Sequence, residues 1–268
     1  MNEYAKAALS KVPEVTLGFW IIKILATTIG ETGGDAVTMS LFHADKDAHN
    51  GGYLIGTGLF MAVFVACVIV QIAMKKFHPA AYWLTIVATT TVGTTMADFA
   101  DRSLGIGYAG GSSLLFALLM ASFLIWRWSE GTVSVNSVAT PRAEAFYWAT
   151  IVFSQTLGTA LGDWMADTNS LGYGNASLVF GAGLAILAAA YLFTNASRVL
   201  LFWAAFILTR PLGATLGDLF DKPIAHGGLA FSRYTATAML VAAMVATIAV
   251  FPQRPGVHPG SLLEMPAE

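Results

Sequence analysis

The sequence predicts an all-α membrane protein, with eight transmembrane helices arranged as four parallel two-helix repeats in a pseudo-symmetric ring. Three observations predict it: a shortage of charge, eight apolar stretches of spanning length, and one motif that recurs four times.

Of 268 residues, 56% are apolar and 11% charged, against about 25% charged in a soluble domain. The net charge of −2 leaves no basic surface for nucleic acid. The single cysteine, Cys67, lies in an apolar run, so it forms no internal disulfide and reads as a small buried hydrophobe. Residues 1–14 carry Glu3, Lys6, Lys11 and Glu14, and the apolar run that follows lacks the cleavage site of a secretory signal. It reads as a retained first helix.

A bilayer core is crossed by about 20 mostly apolar residues in a helix. Eight segments meet that length: about 15–38, 52–74, 80–99, 107–128, 145–166, 173–194, 198–219 and 229–251. They form one transmembrane domain over residues 1–268, divided into repeats at about 15–76, 80–129, 143–195 and 198–252. Short connections suggest antiparallel hairpins, and residues 253–268 read as a disordered, Pro- and Gly-rich tail. Lys6, Lys11, Lys75, Lys76, Arg127, Arg142, Arg198 and Arg254 fall on one side, and Lys46, Arg102, Lys222 and Arg233 on the other. That excess places both termini in the cytoplasm.

Trp20, Trp83, Trp148 and Trp203 each stand ten residues before a glycine: Gly30, Gly93, Gly158 and Gly213. Five residues after each glycine comes an aspartate: Asp35, Asp98, Asp163 and Asp218. The strings TIGETGGD, TVGTTMAD, TLGTALGD and RPLGATLGD repeat too regularly for chance. This pattern resembles bacterial membrane-anchored proteins of four tandem two-helix repeats, each with a tryptophan, classed as a domain of unknown function. The resemblance covers nearly the whole chain and implies an eight-helix, multi-pass protein of the bacterial inner membrane. It brings no activity. Because each unit holds two spans, successive copies enter the membrane in one direction, so the repeats are parallel.

With the glycine as position zero, position +4 holds Gly34, Ala97, Gly162 and Gly217. These small-xxx-small pairs predict close helix packing by Gly30, Gly34, Gly93, Gly158, Gly162, Gly213 and Gly217. On a straight helix the +5 aspartate lies roughly 140° round from the glycine. It shares its sector with Thr28, Thr91 and Thr156 at −2 and adjoins Thr32, Thr95 and Thr215 at +2. Glu31, Asp101 and Asp221 project between the glycine seam and this stripe, with Asp167 displaced by one residue. The tryptophans, roughly 22 Å from the aspartates, read as interfacial anchors.

Four carboxylates near one axis repel unless protonated or matched by a cation. Carboxylates and threonine hydroxyls are hard donors, suited to Mg²⁺, Mn²⁺ or Ca²⁺ rather than soft metals. The expected ligands are Asp35, Asp98, Asp163, Asp218, Glu31, Asp101, Asp167 and Asp221. Arg210 at −3, where the other repeats have Thr27, Thr90 and Gln155, is expected to pair with one motif carboxylate, beside a backbone opened by Pro211. The loop HADKDAH (His43, Asp45, Asp47, His49) reads as a solvated turn rather than a metal site.

These features point to transport, import or export, of a small hard cation of the Mn²⁺ or Mg²⁺ class, with no required cofactor. Carriage of an organic cation or neutral solute past Tyr108 and Tyr173 is the alternative, and a membrane sensor or scaffold a third. No Ser-His-Asp pattern, nucleotide loop or HExxH motif suggests an enzyme. The lipid bilayer is the expected partner, and lipid-facing glycines would also let two chains pair as a homo-oligomer.

Overall fold

The computed structural model describes residues 9–44, 46, 47, 49, 51–168 and 171–257. Eight long helices carry the fold: α1 (Leu17–Asp35), α2 (Gly52–Ala73), α3 (Pro79–Asp98), α4 (Gly107–Glu130), α5 (Pro141–Asp163), α6 (Gly172–Phe193), α7 (Arg198–Asp221) and α8 (Arg233–Val250). The odd-numbered helices begin the repeats and form the inner set. Each starts at a polar side chain that accepts a hydrogen bond from a free backbone N–H: Thr16 from Phe19, His78 from Ala81, Thr140 from Ala143 and Ser197 from Leu200. Such caps satisfy groups that a helix end otherwise leaves open.

The inner helices close into a ring, with α1 against α3, α3 against α5, α5 against α7, and α7 against α1. The glycine seams set this packing. A Cβ on Gly30 would overlap Thr90, one on Gly93 would crowd Gln155, one on Gly158 would overlap Arg210, and one on Gly213 would overlap Thr27. Each motif glycine thus receives the −3 residue of the next repeat. One turn on, Gly34 meets Thr94 and Gly217 meets Glu31. Both contacts advance in the same direction, so the inner helices run parallel.

The expected antiparallel hairpins form across the repeat boundaries rather than within a repeat. Helix α2 packs on α3, α4 on α5, α6 on α7, and α8 returns to α1. Every outer helix therefore covers the inner helix of the following repeat, and the last repeat closes onto the first. Among the described residues, five helices are long and apolar enough to cross a membrane: α2, α4, α6, α7 and α8. In α2 only 17% of the spanning window is buried, and Leu54, Ile55, Ile69 and Val70 face outward. Inner helices α1, α3 and α5 turn their polar residues inward, the reverse of a soluble bundle.

After the motif aspartate, α1, α3 and α5 continue as π-helical turns over Ala36–Leu41, Phe99–Ser103 and Trp164–Thr168. At the opposite end, β1 (Leu9–Pro13) pairs antiparallel with β2 (Pro255–Val257). Part of the expected disordered tail is therefore a strand, held because its backbone bonds to the chain's other end; residues 258–268 lie outside the described residues. The loop residues Asp45, Ala48 and Asn50 do as well.

Candidate functional site

The ring encloses a single axis, built in layers four residues apart along each inner helix. Lowest, next to the β1–β2 pair, are Phe19, Tyr82, Tyr147 and Phe202, each preceding its motif tryptophan in sequence. Their rings meet the tryptophan of the following repeat all the way round: Phe19 with Trp83, Tyr82 with Trp148, Tyr147 with Trp203, and Phe202 with Trp20. The Tyr82 and Tyr147 hydroxyls bond at 2.6 Å. Three of these tryptophans are not lipid-facing anchors as expected, and Trp20 is half-buried. Trp83, Trp148 and Trp203 are buried, because the −10 face points into the seam between neighbours.

Above this floor stand Lys23, Ile86, Ile151 and Phe206, with the Lys23 ammonium 4.1 Å from the centre of the Phe206 ring. The next layer is Thr27, Thr90, Gln155 and Arg210, and then come Glu31, Thr94, Thr159 and Ala214. The Arg210 side chain joins these two layers. Its guanidinium donates to Glu31 Oε2 at 2.8 Å, to Thr94 Oγ1 at 2.6 Å and to Thr159 Oγ1, and to the Thr27 and Gln155 carbonyls at 3.1 and 3.3 Å. One side chain from the fourth repeat thus reaches the other three. Arg210 does pair with a motif carboxylate, as expected, and that carboxylate is Glu31 rather than an aspartate. The reason is depth, since Arg210 lies two helical turns before Asp218.

The four motif aspartates form the top layer, all buried. Two cations divide them. Arg102 pairs with Asp98 at 2.7 Å and reaches Asp163 of the next repeat at 3.4 Å. Lys222 pairs with Asp218 at 2.9 Å and reaches Asp35 of the first repeat. Arg102 and Lys222 occupy the same place, nine residues after their glycines, in repeats two and four. The fourfold ring therefore carries a twofold pattern of charge. Burial alone would lower the Lys222 ammonium, but Asp218, Asp35 and Asp221 outweigh it and hold it well above its ordinary range. Asp98, ahead of Asp163, likewise raises Arg102.

The remaining expected residues fall elsewhere. Thr28, Thr91 and Thr156 bond back to carbonyls of their own helices. Thr32 accepts from Thr237 of α8, and Thr215 from Ser177 of α6. Thr95 bonds to the Val92 carbonyl of its own helix. These hydroxyls lie in seams, whereas the axis is lined by Thr27, Thr90, Thr94 and Thr159, which sequence reasoning missed. Gln155 also lines the axis, and among the described residues both of its side-chain polar atoms lack a hydrogen-bond partner. Asp221 pairs with Lys222 at 3.7 Å and Arg233 at 3.4 Å, beside the ring. Asp167 accepts from Tyr108 at 2.9 Å and Tyr173 at 3.5 Å, and Asp101 lies against Gly111, where burial pushes its carboxyl up to about 6 against the pull of Arg102. Neither joins the four-aspartate layer.

Chemically, the top layer can hold a cation. Glu31, Asp35 and Asp218 offer oxygens within 4.8 Å of one another, all buried. Toward the aromatic end, Arg210 and the paired tyrosines close the axis.

Fold and site together define a helical bundle of four internal repeats, closed in a ring about a buried polar axis. The chain belongs to the family described as Repeat of Unknown Function (DUF347), whose model matches residues 18–77, 81–132, 146–197 and 201–251. Comparison with curated proteins and with solved structures finds no match.

Proposed function

We propose that the chain is an eight-span transporter of the bacterial inner membrane, both termini cytoplasmic, which moves a small hard cation of the Mn²⁺ or Mg²⁺ class. The carrying observation is the aspartate layer: four buried carboxylates on one axis, balanced by two cations that each bridge neighbouring repeats. Ionisable groups inside a membrane span are costly and mark ion pathways. Helices of 19, 20 and 23 residues in α1, α3 and α5 match the spanning length although their polar residues lower their hydropathy. Four similar carboxylates, each in an ion pair, do not supply the two unlike groups that acid–base catalysis uses.

A closed aromatic floor and an aspartate layer one helix-length away fit one conformation of an alternating-access cycle. The ion enters among the aspartates and competes with the Lys222 ammonium. Asp35→Asn or Asp218→Asn abolishes Mn²⁺ flux in proteoliposomes; unchanged flux overturns the reading.

One observation favours a second cargo. An ammonium already rests on Asp35 and Asp218, so a primary organic amine is the alternative. A thermal-shift screen of divalent ions against alkylamines separates the two.

A further inference from the structure

The two cation-bridged seams of the ring are unequal, and the inequality locates a site. Between repeats two and three, Arg102 joins two carboxylates, Asp98 and Asp163. Between repeats four and one, Lys222 sits on Asp35 and Asp218, with Glu31 beside them. In the other seam the counterpart of Glu31 is Thr159 of the third repeat, not a carboxylate.

Resting on the cation-transport reading above, we propose that this second seam is the ion site: a hard divalent cation is bound by Glu31, Asp35 and Asp218, and Lys222 is a tethered competitor that it displaces. The three ligand oxygens lie close enough to reach one ion of Mg²⁺ to Ca²⁺ size. Asp35 is completely enclosed, yet its Oδ1 has no hydrogen-bond partner. Buried carboxylate oxygens are normally satisfied, so this atom is open to a ligand; Asp98 Oδ2 and Asp163 Oδ1 are open likewise, but Arg102 holds their seam. The ammonium itself marks where positive charge is accepted.

Charge counting selects the valence. Glu31 is answered by Arg210 and Asp221 by Arg233. Asp35 and Asp218 then share the single charge of Lys222, which leaves one negative charge over. A divalent ion in place of the ammonium brings the seam to neutrality; a monovalent ion only substitutes for it.

Lys222 can leave, whereas Arg102 is built to stay. Lys222 is the first residue beyond α7, and its side chain is 11% exposed, so its ammonium can swing out to solvent. A lysine ammonium is a compact point charge on a flexible stem, but a guanidinium grips carboxylates with a rigid fork.

The test is Mn²⁺ binding to the purified full chain in detergent, followed by the loss of the free-ion paramagnetic resonance signal. Lys222→Gln raises Mn²⁺ affinity at least tenfold, and Lys222→Arg lowers it. Adding Asp35→Asn or Asp218→Asn to Lys222→Gln abolishes the gain. Arg142→Gln, which removes the same charge from an exposed side chain at the other end, leaves affinity unchanged. Affinity that falls or stays level in Lys222→Gln overturns the proposal, as does unchanged affinity in Lys222→Arg, a variant that keeps the charge if Lys222→Gln fails to fold. This binding pattern without Mn²⁺ flux in proteoliposomes counts against transport while sustaining the site.

Discussion

Arg210 of the fourth repeat and Glu31 of the first meet on the molecular axis at 2.8 Å, both enclosed by the ring. Between them they anchor the two ends of the chain's repeat series to one another and to the threonines of repeats two and three. Breaking one partner of such a buried pair leaves the other charge uncompensated, at a cost of about 3–5 kcal/mol. Arg210→Met is expected to destabilise the protein by that amount, measured as a loss of melting temperature in detergent. Arg210→Met combined with Glu31→Gln is expected to recover part of it, because no unpaired charge remains.

The motif glycines carry a second expectation. A methyl group on Gly30 would overlap the Thr90 side chain and its backbone, while Gly58, on an outer helix, meets nothing within 4 Å. Forcing a methylene into a packed seam costs about 1–3 kcal/mol. Gly30→Ala should therefore lower the melting temperature, and Gly58→Ala should leave it level or slightly raised. Equal effects at both positions would remove the interlocking seams as the basis of the ring.

Much of this was legible in the sequence. Two fixed spacings disclosed the repeats, and two spans per repeat required the copies to be parallel. The aspartates and glycines were found at their positions, but the facing of the threonines was not. A straight helix groups residues seven apart, which joined Asp35 to Thr28. The axis instead follows residues four apart, Lys23, Thr27, Glu31 and Asp35, a row that drifts about 40° per step on a straight helix. Close GxxxG-type packing favours the right-handed crossing that brings such a row to the centre. Seam spacing is written in the sequence; crossing angle is not. A local signal was also overlooked: an aromatic residue immediately precedes each motif tryptophan, as Phe19-Trp20, Tyr82-Trp83, Tyr147-Trp148 and Phe202-Trp203. Those pairs build the floor of the axis.

The strand pair β1–β2 closes that floor from outside and is tied down by charge. Lys11 pairs with the buried Glu144 at 2.6 Å and donates to the last carbonyls of α2, Gln71 and Ile72. Trp83 reaches the same cap through Gln253 at 2.9 Å. Lys11→Ala leaves Glu144 without its ammonium, a loss of about 1.5–3 kcal/mol for a bond to a charged group. In a Cys67→Ser background with Val12→Cys as reporter, a water-soluble maleimide should label the buried thiol about tenfold faster or more once Lys11 is replaced. An unchanged labelling rate would show that the cap is held by its backbone bonds alone.

Lys23 gives the clearest case in which function and stability should part. Its side chain is fully enclosed and its ammonium nitrogen has no hydrogen-bond partner. The Phe206 ring at 4.1 Å is its aromatic neighbour, and such a contact contributes about 2 kcal/mol when desolvated. An unmet buried polar group costs about 1–3 kcal/mol, and more when charged, so the ring does not offset it. Methionine has nearly the same length and no donor to satisfy. Lys23→Met is therefore expected to raise the melting temperature, the opposite of the fall expected for Arg210→Met four residues' depth away along the same axis. A fall in melting temperature would mean that Lys23 has a partner in the folded protein, such as an ordered water, that compensates its nitrogen.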